Sequence, residues 1–239
     1  MQQPDLIKAV FEFVLLIFSL SVHECAHAWT ASRLGDQTAR MLGRVTLNPM
    51  VHVDPIGTLL FPAVMIFGPF IGFGMFGRML VGWAKPTPVN TRNLRKIVRD
   101  DNLITLAGPA SNLLIVLVAV AVLAVMAIAL PNGQKVVLDS FYATFNPTED
   151  FTPQPLVLLC TLAILINLSL CIFNLLPIPP LDGSRLMRNM LPYNAVQAYD
   201  RIPIWVSYML MIFVGGTIIR AFVFPAIEMV AWALMHVHS

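Results

Sequence analysis

Residues 6–30 read LIKAVFEFVLLIFSLSVHECAHAWT, an apolar run with two histidines and a glutamate near its C-terminal end. About 20 apolar residues in an α-helix cross the hydrocarbon core of a bilayer. Ionisable side chains inside such a span are costly, so they need a functional reason or a pairing partner. The stretch therefore predicts a transmembrane helix that carries a functional site.

The polar residues of this stretch have the spacing H-E-x-x-H, as His23-Glu24-Cys25-Ala26-His27. Residues four apart on a helix lie one turn apart on nearly the same face, so both imidazoles can bind one tetrahedral zinc ion. Glu24 is placed to take a proton from the attacking water. The pattern predicts His23 and His27 as metal ligands and Glu24 as general base. The alternative is a polar cluster between helices without a metal.

The composition indicates a membrane protein. Of the 239 residues, 57% are hydrophobic and 12% are charged, and the mean hydropathy is +0.76. This is more apolar surface than a soluble core of this size needs. The net charge is +2, and the basic residues lie in loops without the aromatic and sheet pattern of nucleic-acid binders. We expect the lipid bilayer as a partner and no nucleic acid.

Apolar runs of spanning length recur along the chain, which predicts an all-α fold, a polytopic transmembrane helical bundle. Core spans are expected at about 6–30, 103–130 and 156–180. Residues 1–239 are expected to form a single integral-membrane domain.

Helix-breaking residues interrupt two other apolar regions. The region at about 58–79 contains two prolines and four glycines, which is typical of a broken or re-entrant segment between the first two core spans. The region at about 202–236 contains Gly215, Gly216 and Pro225. It is expected to form one span or a hairpin.

Loop charges predict the orientation, because lysine and arginine accumulate in short cytoplasmic loops. If region 58–79 returns to its own side, only Lys8, Lys135 and Arg220 face away from the larger basic group, whereas a full crossing would divide that group. The larger group consists of Arg33, Arg40, Arg44, Arg78, Lys85, Arg92, Arg95, Lys96, Arg99, Arg185, Arg188 and Arg201. We expect a multi-pass protein of the cell membrane with its active site toward the cytoplasmic side.

A third metal ligand is expected, because a catalytic zinc usually has three protein ligands and one open position. Asp182 is the candidate, since it follows the proline-broken end of an apolar run in NLLPIPPLDG, residues 174–183. Prolines cannot continue the helical hydrogen bonds, so this backbone should line a cavity or a pocket filled by protein. The alternative is that Asp182 only begins a loop.

The two motifs, in this order, resemble the site-2 protease family of intramembrane metalloproteases. HECAH at 23–27 and NLLPIPPLDG at 174–183 are similar to the family's paired H-E-x-x-H and N-x-x-P-x-P-P-L-D-G elements. GPASN at 108–112 resembles the family's G-P-x-x-N element, and GWAKP at 82–86 and NP at 48–49 are further similarities. No appended PDZ or CBS domain is visible, so the chain resembles the short members.

The resemblance implies one Zn²⁺ per chain and hydrolysis of a peptide bond within or near a transmembrane segment of a substrate protein. The implied ligands are His23, His27 and Asp182, with Glu24 as the general base. The resemblance also implies that Asn174 supports the site or the substrate backbone and that Asn112 aligns the site.

A function from another class is a membrane transporter or metal-handling protein that uses the same His and Asp residues in an ion path. Broken helices and polar groups at mid-membrane also occur in transporters. However, the sequence contains no repeated half, and an ion path does not need Glu24 between two ligands. These features favour the protease.

Overall fold

A computed structural model describes residues 6–71, 84–145 and 152–236. In these ranges the chain is helical and contains no strand, which confirms the all-α prediction. The helices are α1 (Leu6–Leu34), α2 (Thr38–Met41), α3 (Phe61–Phe67), α4 (Ile97–Ala129), α5 (Gly133–Phe145), α6 (Pro155–Asn174), α7 (Asp182–Met190), α8 (Tyr193–Tyr199), α9 (Ile204–Ile218) and α10 (Phe224–Met235).

Four helical runs in the described residues are long and apolar enough to cross a membrane. They are α1, α4, α6 and the combined run Ile204–Met235. The shortest, α6, has 20 residues, and at 1.5 Å per residue such a helix matches the roughly 30 Å hydrocarbon core. The chain is therefore a multi-pass membrane protein.

The outer faces of these helices carry large exposed apolar side chains, among them Val14, Leu117, Val125, Phe213 and Trp232. Soluble proteins rarely expose apolar patches of more than a few hundred Å², because contact of apolar surface with water is unfavourable. Lipid tails are the medium that covers such faces. The bilayer is therefore part of the environment that this fold requires.

The main hydrophobic core joins α4, α5, α6 and α10. Leu123, Phe141, Ile164 and Leu234 lie at its centre and are almost completely buried. This core holds the C-terminal half of α4, whereas the N-terminal half of α4 packs against α1 around Ala31 and Ile104. As a result, the polar end of α1 faces the first turns of α4.

The described part of the second apolar region forms one helical run that changes type along its length. A π-helical turn (Pro55–Leu60), α3 and a 3₁₀ turn (Gly68–Ile71) follow one another. Pro62 lies in the first turn of α3, directly after the π-helical turn, and removes one backbone N–H from this run. Whether the whole region is broken or re-entrant stays a prediction. Residues 72–83 lie outside the described residues, so the return of this segment to its own side stays a prediction. Gly82 and Trp83 of the GWAKP stretch also lie outside the described residues.

The last apolar region forms one helical run. A π-helical turn (Ile219–Val223) connects α9 directly to α10, so the chain does not reverse direction as a hairpin would. Val223 and Ile227 pack into the main core. Of the two expected arrangements, the structure contains the single continuous one.

Asp36 connects the end of α1 to the segment before α4. Gly35 ends α1 with φ +118°, a conformation that favours glycine. The fully buried Asp36 carboxylate accepts hydrogen bonds from the Thr38 backbone N–H (3.1 Å) and hydroxyl (2.5 Å), from Asn93 Nδ2 (2.8 Å) and from the Asn90 N–H (2.7 Å). These bonds hold the segment that contains Asn90 and Asn93 beside the C-terminal end of α1.

Replacement of Asp36 by asparagine should destabilise the protein by about 1–3 kcal/mol, because an amide N–H₂ would face buried donors. Burial raises the pKa of Asp36, but the donors from Thr38, Asn93 and Asn90 outweigh burial and hold this pKa below its ordinary value. A pKa lowered by folding contributes stability above the unfolded value of about 3.9, and that stability is lost as the pH falls through the folded value. The difference between wild type and Asp36→Asn in thermal unfolding, followed in detergent, should therefore be largest near neutral pH and shrink at pH 3. An equal difference at both pH values would contradict this role.

Candidate metal centre

His23 and His27 lie one turn apart near the C-terminal end of α1. Their ring centroids are 4.6 Å apart with an angle of 83° between the ring planes, and their Nε2 atoms approach to 3.0 Å. Both residues are buried, with 3% and 4% of their surface exposed. The helix thus directs two imidazole nitrogens to one point inside the protein.

Asp182 reaches the same point from the other end of the chain. Helix α6 ends at Asn174, the proline-rich turn reverses the chain, and Asp182 is the first residue of α7. Its Oδ2 lies 3.0 Å from His23 Nε2 and 3.2 Å from His27 Nε2. Among the described residues, His23, His27 and Asp182 form a group of metal-binding side chains that could hold one ion.

Hydrogen bonds to the far side of His27 determine which of its nitrogens carries a proton. His27 Nδ1 lies 2.7 Å from the carbonyl oxygen of Ile104. A carbonyl oxygen only accepts, so Nδ1 must donate. In the neutral imidazole the Nε2 lone pair then faces Asp182 and His23, which is the form that binds metals.

Asn112 has the corresponding position beside His23. Its side-chain amide lies 3.2 Å from His23 Nδ1, and the residue is fully buried. With its nitrogen toward the imidazole, the Asn112 Oδ1 atom is buried without a donor. Rotation of the amide by half a turn directs Oδ1 to His23 Nδ1–H, which gives this oxygen a donor. The His23 Nε2 lone pair then also faces the convergence point.

Three acceptor atoms at 3.0–3.2 Å from one another need a positive charge between them. A tetrahedral zinc ion with ligand bonds of roughly 2.0–2.2 Å separates its ligand atoms by about 3.3 Å, so these side chains fit such an ion with small adjustments. A carboxylate must be ionised to bind a metal, and the Asp182 carboxylate faces the two imidazole nitrogens.

Comparison with known proteins agrees with this geometry. The family model for peptidase family M50 matches residues 11–216, which is most of the chain and includes the residues of the metal centre. The chain belongs to peptidase family M50. This confirms the resemblance to site-2 proteases, and the chain is a metalloprotease of the membrane.

Curated relatives of this M50 peptidase have corresponding names. "Putative zinc metalloprotease YwhC" of Bacillus subtilis is 35% identical over 75% of this chain and 68% of that protein. "Putative zinc metalloprotease Rip2" is 30% identical in Mycolicibacterium smegmatis, over 72% of this chain and 55% of that protein. Rip2 of Mycobacterium tuberculosis is also 30% identical, over 76% of this chain and 58% of that protein. The chain thus matches little more than half the length of the mycobacterial relatives. No solved structure is significantly similar to the chain.

Gly108 is the closest neighbour of both imidazoles in α4 of the M50 peptidase. A Cβ atom at this position would lie 2.4 Å from His27 Nε2 and 2.5 Å from His23 Nε2. Such distances do not occur between real side chains, so any larger residue would displace the ligands. The glycine of the GPASN stretch therefore permits close approach of α4 to the metal centre.

Glu24 lies beside the ligands and contacts a residue that the sequence did not identify. The Thr87 backbone N–H and hydroxyl donate to Glu24 Oε2 at 2.9 and 2.8 Å, and the hydroxyl also lies 3.1 Å from the Glu24 carbonyl oxygen. Thr87 comes directly after GWAKP, which was the only signal in the sequence for this contact. The segment that Asp36 holds in place therefore orients the Glu24 carboxylate.

The Asn174 amide forms a hydrogen bond within its own helix. Its Nδ2 donates to the carbonyl oxygen of Leu170 at 2.9 Å, one turn earlier in α6. The structure thus brings together His23, His27, Asp182 and Asn112, whereas the amide of Asn174 binds its own helix. A contribution of Asn174 to substrate binding stays a prediction.

Substitution Gly108→Ala should reduce metal binding by more than tenfold, because the added methyl group would overlap the imidazole nitrogens. The measurement is metal content of the purified protein by mass spectrometry after dialysis against a weak chelator. Gly216→Ala is the matched control, because a Cβ there meets no atom within 4 Å. Equal metal content in both variants would show that α4 does not limit the space around the ligands.

Proposed function

We propose that this chain is an intramembrane zinc endopeptidase that hydrolyses a peptide bond within or near a transmembrane segment of a substrate protein. The observation that carries the proposal is that Asp182 meets His23 and His27. The two histidines lie on α1, a helix of spanning length that also carries Glu24. The family and the names of the relatives support a zinc-dependent peptidase. The same findings give no support to the transporter alternative.

The donor set suits Zn²⁺, because two imidazoles and one carboxylate are ligands found in catalytic zinc sites that keep an open fourth position. When bound, zinc polarises the scissile carbonyl group and makes a water molecule more acidic. His23, His27 and Asp182 hold the ion in this proposal. Ile104 and Asn112 keep the imidazole lone pairs directed toward it.

Glu24 is the general base in this proposal. Thr87 binds its Oε2 atom, so Oε1 is the oxygen available to take a proton from the attacking water. The proton can then pass to the nitrogen of the leaving amine. Because Glu24 is nearly buried, its charge acts in surroundings of low dielectric constant, where electrostatic effects are stronger than in water.

A transmembrane substrate must expose a carbonyl group before it can react. Helical carbonyls are occupied by hydrogen bonds within the helix, so the cleaved segment has to unwind locally. Segments with glycine or proline near the cleaved bond are therefore the preferred substrates in this proposal. In this proposal the protein lies in the cell membrane with its site toward the cytoplasm. The Lys and Arg residues of the loops support this orientation if region 58–79 returns to its own side.

Three variants, compared with the wild type, test the zinc site and the base in one experiment. Wild-type protein should contain about one zinc per chain, and His27→Ala and Asp182→Asn should lose most of it, because two ligands bind zinc much more weakly than three. Glu24→Gln should keep its zinc but cleave more than a hundredfold more slowly, because an amide cannot accept the proton. Metal is measured by mass spectrometry, and cleavage on a fusion protein with one glycine-containing transmembrane segment between two reporter domains.

Cys25→Ala is the matched control, since Cys25 lies in the same motif and should affect neither zinc nor cleavage. Full zinc content in Asp182→Asn would separate the two motifs and contradict the three-ligand site. Normal cleavage by Glu24→Gln would contradict the proposed base.

Thr87 should affect the rate of cleavage without affecting zinc. Thr87→Val keeps the side-chain shape but removes the hydroxyl bond to Glu24 Oε2. Hydrogen bonds to charged groups contribute about 1.5–3 kcal/mol, so kcat should fall by about tenfold or more. KM and zinc content should stay as in wild type, and Thr87→Ser should recover most of the activity.

Thr91→Val provides the control for Thr87, because Thr91 begins the 3₁₀ turn Thr91–Asn93 in the same segment. It should have wild-type kcat. A fall in zinc content in Thr87→Val, or equal effects of the valine and serine substitutions, would show that Thr87 has only a structural role.

A further inference from the structure

One face of α7 carries Asp182, Arg185 and Asn189, which are spaced by three and four residues. Residues at this spacing lie along one side of a helix. Asp182 contacts the two histidines. Because Arg185 and Asn189 lie on the same face in the next two turns, their contacts affect how α7 is placed relative to the histidines.

Arg185 and Asn189 both contact Asp101 in the first turns of α4. Arg185 forms an ion pair with Asp101 Oδ1, and Asn189 Nδ2 donates to Asp101 Oδ2 and to Asn102 Oδ1, each at 2.8 Å. Only 6% of the Asp101 surface is exposed. We call Asp101, Asn102, Arg185 and Asn189 the α4–α7 polar cluster. Both oxygens of one buried carboxylate are thus occupied by α7.

The same side of α4 also contacts the histidines. Asp101, Gly108 and Asn112 are separated by seven and four residues, so they lie on one face of the helix. Gly108 touches both imidazoles and Asn112 binds His23. Helix α4 therefore holds the histidine ligands through Gly108 and Asn112, and holds the helix of the third ligand through Asp101.

The packing of Gly183, at the ligand-bearing end of α7, is less directional. A Cβ at Gly183 would lie 2.2 Å from the Leu175 carbonyl oxygen and 2.4 Å from that of Leu176, so α7 packs closely against the end of α6. Close packing limits the approach of α7 but does not define its rotation. A helix of nine residues is also too short to be stable alone. The polar cluster supplies directional contacts that fix the rotation.

We propose that Asp101, through Arg185 and Asn189, positions Asp182 as the third metal ligand and thereby sets the zinc affinity of the site. The inference rests on the proposed function, because it takes His23, His27 and Asp182 as the zinc ligands. Asp101 is a positioning residue, since it touches neither the substrate nor the metal. No motif in the sequence marked Asp101, Asn102 or Asn189 for this role.

A second ion pair on α7 offers a matched control. Arg188 binds Asp200 with contacts of 3.1 and 3.2 Å, and about half of each side chain is exposed. Exposed pairs contribute little to stability. Arg188→Gln therefore removes an arginine and an ion pair from the same helix without touching α4.

The experiment measures the zinc dissociation constant of the full-length protein in detergent, by competition with a fluorescent zinc chelator. Asp101→Asn and Arg185→Gln should each weaken zinc binding by roughly tenfold, the lower end of the 10- to 100-fold effect of residues that orient metal ligands. Arg188→Gln should bind zinc as wild type does. Wild-type affinity in Asp101→Asn and Arg185→Gln would overturn the proposal.

A double-mutant cycle separates positioning from general loss of structure. In a chain that already carries Asp182→Ala, the weaker site consists of His23 and His27, and Asp101→Asn should not weaken zinc binding further. If Asp101→Asn weakens binding equally in both backgrounds, Asp101 supports the fold and does not act through Asp182. Absence of zinc binding by the wild type would instead contradict the proposed function itself, so the two failures are distinguishable.

Discussion

The structure depends on the convergence of three acceptor atoms, His23 Nε2, His27 Nε2 and Asp182 Oδ2, at 3.0–3.2 Å inside a membrane protein. Lone pairs that face one another in surroundings of low dielectric constant repel, so this arrangement requires a cation. Helices α1, α4 and α7 have to approach closely to create it. Gly108 and Gly183 permit this close approach, and buried hydrogen bonds orient the two imidazoles. The turn before α7 brings Asp182 to the histidines.

Helix α4 is the element that connects these features. Its first half contacts the end of α1 through Ile104, Gly108 and Asn112, and it contacts α7 through Asp101. Its second half lies in the apolar core with α5, α6 and α10. A helix held rigidly at one end can therefore set the geometry of the metal centre at the other, which is the support that catalytic groups need.

The proposed base is oriented separately from the proposed metal ligands. Thr87 binds Glu24, and the segment that contains Thr87 is held by Asp36 at the end of α1. The helical region from Pro55 to Ile71 lies between α1 and this segment in the chain, and its helix α3 packs against α1.

The sequence by itself determined the all-α membrane fold, because the length and apolar character of its helices leave few other structures in lipid. It also identified His23, Glu24 and His27, since their spacing is local to one helix, and nominated Asp182 and Asn112 through the resemblance. Only the tertiary structure decided that Asp182 meets the histidines. It also decided that Asn112 binds His23, whereas the amide of Asn174 binds α6. The contacts of Thr87 with Glu24 and of Asp101 with Arg185 are likewise visible only in the structure. The contacts of Asp182, Asn112, Thr87 and Asp101 join residues between 63 and 159 positions apart in the chain, and no periodicity of a single helix encodes them. They follow from how α1, α4 and α7 pack against one another.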